Sequence, residues 1–109
     1  DPSDSVQTLQ KLKSLVTLGV WEGPLASAAS IFLPTCSHAE AEGTFTNAKG
    51  IAQRSERALN PIGNAQPAWS ILARVGQSLG YPTAWKKLKD IHTAMAPEAG
   101  AVASAAAEP

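Results

Sequence analysis

From Pro67 to Leu79 the large apolar residues Trp69, Leu72, Val75 and Leu79 recur at three- and four-residue steps, and Gly80 stands where a helix would stop. This is the clearest helix in the chain. Pro82 is placed to open another, in which Trp85, Leu88, Ile91 and Met95 share one face while Lys86, Lys87 and Lys89 lie mostly opposite as a solvated side. The N-terminal pattern is shorter. Asp4 or Ser5 is suited to cap a two-turn helix carrying Val6, Leu9 and Leu12, with Lys11 and Lys13 near its negative end. Leu15-Val16-Thr17-Leu18 is apolar, partly β-branched and too short for a helix, so it predicts a buried strand ended by Gly19. Pro24 then opens a brief helix through Leu25 to Ala29, and Ile31-Phe32-Leu33 predicts a second strand stopped by Pro34.

Two short strands joined by a helix imply a parallel pair, so the fold class expected is α/β, a small partial Rossmann-like domain. Gly43 to Asn47 alternates in strand fashion, Asn47-Ala48-Lys49-Gly50 has turn chemistry, and Ile51 to Arg54 returns antiparallel. This makes a hairpin at the sheet's edge. Asn60-Pro61 and Gly63-Asn64 punctuate Arg57 to Gln66 as a surface loop. Past Pro97 the Ala-rich run to Pro109 lacks bulky anchors, so the expected organisation is one domain over 1–95 and a flexible tail over 96–109.

At 109 residues the chain is one domain at most, and a domain of that size buries only about two-thirds of its unfolded surface. Nine basic and nine acidic side chains cancel, which excludes the cationic excess that binding to nucleic acid or an anionic membrane requires. Cys36 is the one cysteine, so neither an internal disulfide nor the thiolate set of an iron–sulfur cluster or structural zinc can form, and a reducing compartment is the simplest setting. No apolar run approaches the roughly 18 residues of a membrane span, and Asp-Pro-Ser-Asp lacks the basic start of a signal peptide. A soluble piece cut from something longer is the expectation.

Cys36, His38, Glu40 and Glu42 alternate, and in an extended strand they would turn a thiol, an imidazole and two carboxylates to one side, as a metal site needs. Pro34 and the Ser-His-Ala-Glu composition favour a turn instead, and His92 is isolated on a helix. Cys36 and His38 stand too close in sequence to assemble as nucleophile and base, and an inert thiol is the expectation. Acidic residues such as Glu40 and Glu42 beside a glycine turn usually face solvent or cap backbone amides. Neither the phosphate loop nor the Gly-x-Gly-x-x-Gly fingerprint is present. The tryptophans Trp21, Trp69 and Trp85 lack interleaved cations and read as core anchors or docking residues, not as a base-stacking platform.

The order of Ala29; Leu33-Pro34; Glu40, Gly43-Thr44, Asn47, Gly50 and Gln53; Pro61, Gly63, Ala65, Trp69 and Ile71; and Leu79-Gly80 resembles the molybdopterin oxidoreductase superfamily, most strongly over 29–80. Its nearest likeness is to the C-terminal region of the large iron–sulfur subunit of respiratory NADH:quinone oxidoreductase, complex I. Charged residues usual in that pattern are replaced by Ser30, Lys49, Ile51 and Ala68, while the residues that shape the backbone stay. Such swaps remove specific polar contacts. The resemblance therefore implies an accessory complex I segment that supports assembly of the peripheral arm. It would have no catalytic or metal-binding residue and no cofactor of its own, with iron–sulfur clusters and FMN elsewhere in the complex. Its partners would be other subunits or domains of a multi-subunit oxidoreductase, with no nucleic acid and no direct membrane insertion, in the cytoplasm beside the inner membrane. The alternative implied is a cofactor-binding segment of a molybdenum or tungsten enzyme such as a formate dehydrogenase, in which Glu40, Gly43, Thr44 and Asn47 would lie near a molybdopterin guanine dinucleotide. A free-standing interaction module is the third reading.

Overall fold

A computed structural model describes residues 2–81 and 84–95. Pro82 as a helix opener and the tail over 96–109 lie outside the described residues. The order is α1 (Pro2–Leu9), β1 (Val16–Gly19), α2 (Pro24–Ala28), β2 (Ile31–Pro34), β3 (Gly43–Thr46), β4 (Ala52–Ser55), α3 (Ala68–Ser78) and α4 (Leu88–Met95). This is the mixed α/β arrangement expected, with a parallel pair, an antiparallel hairpin and two C-terminal helices.

Helix α1 starts ahead of the expected cap, so Asp4 sits inside its first turn, where a carboxylate suits the positive end of the dipole. It also stops at Leu9, leaving Lys11 and Lys13 beyond its last turn. Strands β1 and β2 pair in parallel with Val16 opposite Ile31, Thr17 opposite Phe32, Leu18 opposite Leu33 and Gly19 opposite Pro34. The Ile31 N–H donates to the Leu15 carbonyl at 3.3 Å and the Thr35 N–H to the Gly19 carbonyl at 2.9 Å, so alternate residues of β2 face β1. Pro34 falls between them, facing away from β1, where its missing N–H costs that ladder nothing. On the opposite edge the Gln66 N–H donates to the Pro34 carbonyl at 3.3 Å, and the Cys36 N–H donates to the Gln66 carbonyl at 3.0 Å. The second strand thus continues through Thr35, which bridges Gln66 in parallel.

Strands β3 and β4 form the expected hairpin, Gly43 opposite Ser55 and Thr46 opposite Ala52, as a two-stranded sheet separate from β1–β2. Its turn uses Gly50 at φ +78°, a left-handed conformation that favours glycine. Helix α3 ends as the glycine signal predicts. The Gly80 N–H donates to the Gln77 carbonyl at 3.0 Å and the Tyr81 N–H to the Gly76 carbonyl at 2.9 Å, a Schellman stop with Gly80 at φ +86°. Helix α4 begins only at Leu88, so Trp85, Lys86 and Lys87 precede it. The Asp90 carboxylate reaches back to accept the Lys86 and Lys87 N–H groups at 2.8 and 3.0 Å, as in a capping box. These bonds, first that of Lys86 and then that of Lys87, hold Asp90 below the usual carboxylate range.

The apolar pattern and the burial disagree. Among the described residues the buried apolar side chains are Ala52 and Ala73, and no large side chain is fully buried. On α3 the inward residue is Ala73, whereas Leu72, Val75 and Leu79, three of the four residues of the expected face, are exposed. None of the tryptophans is buried, and Trp21 is 84% exposed. The periodic positions are apolar for a reason the described residues do not satisfy by themselves.

The glycine stop gives a direct test. Gly80→Ala should lower stability by about 1 kcal/mol through the left-handed backbone it must adopt. Gly23→Ala should change little, because Gly23 has an extended backbone and a Cβ there meets nothing within 4 Å. Denaturant titration followed by circular dichroism separates the two.

Candidate functional site

Ser37-His38-Ala39-Glu40 folds as a single tight turn, with the Glu40 N–H donating to the Ser37 carbonyl at 3.1 Å. The Glu40 side chain is only 5% exposed, and both its oxygens are occupied. Oε2 accepts the Ser37 N–H at 2.8 Å, and Oε1 accepts the Ile62 N–H at 3.0 Å from 22 residues away. A carboxylate accepting several N–H groups is favoured in its charged form. The Ser37 N–H, then the Ser37 hydroxyl, then the Ile62 N–H hold Glu40 below the usual range, against burial, which pushes the other way. The Ala39 carbonyl adds bonds from the Ala58 and Leu59 N–H groups, both at 2.9 Å. Together these contacts lash the loop after β4 onto the turn after β2. Ser37 is the residue that sequence reasoning missed, although Ser-x-x-Glu is the capping-box spacing that could have identified it.

Asn47 does the same work at the far end of the hairpin. Its Oδ1 accepts the Lys49 and Ile51 N–H groups at 2.9 and 3.0 Å, while its own N–H donates to the Ile51 carbonyl at 3.0 Å. Gly43 opens β3, and Thr44 is exposed on it opposite Arg54. Four extended residue steps separate Gly43 from Asn47, or roughly 13 Å. The four candidate residues therefore lie along one hairpin and its entry turn and do not converge on a point.

A surface groove of about 470 Å³ opens beside the turn, lined by Glu40, Glu42, Arg54, Glu56, Arg57 and Trp69 among others. Both signs of charge face it. Cys36 is half-buried; burial first, and then the Glu40 charge, push its thiol up, with Arg57 opposing. That is the environment of a protonated thiol and not of a nucleophile. His38 is exposed on the turn, which breaks the alternation that could have made a metal site. Among the described residues no group of three or more His, Cys, Asp or Glu side chains is placed to hold a metal ion. No described helix is long and apolar enough to cross a membrane.

Comparison with known proteins places the sequence in a family. The sequence model of the molybdopterin oxidoreductase family matches residues 1–78, a span containing the parallel pair, the Glu40 turn, the hairpin and the loop tied to them. The chain is 33% identical over 87 residues to the "F420-dependent formate dehydrogenase subunit alpha" of Methanocaldococcus jannaschii, covering 78% of this chain and 13% of that protein. Proteins named "Putative formate dehydrogenase" from Staphylococcus haemolyticus and Staphylococcus aureus are 32% and 35% identical, over 76% and 61% of this chain and 8% and 7% of theirs. The chain thus spans about a tenth of the length of the curated relatives it matches.

These relatives overturn the complex I reading, and the expected FMN, iron–sulfur clusters, quinone and peripheral-arm location lose their support with it. The four altered charges are what favoured a cofactor-free accessory segment over a cofactor-binding one, and the structure explains why they mislead. The hairpin turn uses Lys49 and Ile51 through their backbone N–H groups, which any residue but proline supplies, and both side chains are exposed. Ser30 still provides an acceptor, its Oγ taking the Leu15 N–H at 3.2 Å. Ala68 opens α3 on an exposed side. Losing charge at these places leaves the backbone contacts that define the segment intact.

Glu40→Gln should loosen the loop, because the amide keeps one acceptor oxygen in place of two. Faster hydrogen exchange at the Ile62 amide is the expected readout. The pH dependence has a definite sign. A glutamate whose folded-state value is depressed stabilises the fold in full above its ordinary value of about 4.3 and loses that contribution as the pH falls through the lower folded-state value. Protection of the Ile62 amide, taken relative to its intrinsic exchange rate at each pH, should therefore fall in that acid range in the parent chain, and change less with pH in Glu40→Gln.

Proposed function

We propose that this chain, which belongs to the molybdopterin oxidoreductase family, is a segment of a formate dehydrogenase-type enzyme and forms part of the wall beside its molybdopterin cofactor. The single observation carrying the reading is the 33% identity to a formate dehydrogenase subunit over 78% of the chain. Its partners on this reading are the other domains and subunits of that enzyme.

On this reading the four candidate residues lie beside the pterin, and not all of them bond to it directly. Both Glu40 oxygens and the Asn47 Oδ1 already hold backbone N–H groups, and the residues are strung along the hairpin. The molybdopterin cofactor, with the rest of the enzyme, would carry the redox chemistry. The role proposed for Glu40 and Asn47 is positional. Each pins one end of the β3 segment, so that Gly43 and Thr44 present a fixed edge to whatever lies against them.

Native purification from the source, followed by elemental analysis and a dye-linked formate oxidation assay, tests the proposal. Molybdenum or tungsten co-purifying with this chain, together with formate-dependent dye reduction, is the expected result. An intact assembly containing the chain with neither metal and no formate-dependent reduction would overturn it.

A further inference from the structure

We draw no further inference here: the strongest candidate, the groove lined by Glu42, Arg54, Glu56, Arg57 and Trp69 beside the Glu40 turn, belongs to the site already described, and because its free charges are exposed and of both signs, nothing in the structure shows what occupies it.

Discussion

The contact on which the ordered loops depend is the Glu40 carboxylate between two backbone N–H groups. Ser37 lies three residues before it and Ile62 lies 22 residues after it, so one side chain closes a tight local turn and a long loop together. Backbone groups in a loop must find partners wherever water is excluded, and here a nearly buried carboxylate serves two of them. A glutamate used this way is poorly suited to acid–base work, because protonating either oxygen would weaken a backbone bond that holds the loop. Its cost in desolvation is offset by the bonds that hold it ionised, which is why its acid range is shifted down. The loop it holds then delivers Gln66 to the open edge of β2, where the bridge to Thr35 extends the sheet. The groove beside Glu40 and the start of α3 follow from that placement.

Against this well-satisfied backbone stands a core that is barely present. Seventeen large apolar residues among those described are exposed, and the two buried apolar ones are alanines. Hydrogen bonds contribute little net stability when water offers the same partners, and the favourable term that opposes chain entropy is apolar burial. A segment with caps, turns and strand registers in place but few apolar contacts is organised for a context larger than itself. Its relatives are about ten times longer than the matched region.

Local structure was legible because its causes are local. Gly80 stops α3 through a left-handed backbone, Asn47 and Gly50 make the hairpin turn, and the two β-branched runs flank a short helix as read. Boundaries shifted where a side chain acts at a distance along the chain, as when Asp90 reaches back to Lys86 and moves the start of α4 to Leu88. The continuation past Pro34 was hidden because it depends on Gln66, more than thirty residues away. The cofactor-free accessory reading weighs altered charges at Ser30, Lys49, Ile51 and Ala68 as lost function, whereas the fold uses the backbone at the hairpin positions and keeps an acceptor at Ser30.

What the amino-acid order determined by itself was the class of the domain, the family pattern in its glycines, prolines and Asn47, and the turn that denies Cys36, His38, Glu40 and Glu42 a common face. These depend on φ/ψ preferences and spacing within a few residues. Only the tertiary structure decided that Glu40 holds two backbone N–H groups from separate loops, that the four candidate residues are strung along one hairpin and its entry turn, and that Val16, Leu18 and Ile31 of the parallel pair are exposed. Those outcomes turn on which distant backbone groups meet a side chain and on what covers it, and no periodicity along the chain encodes either.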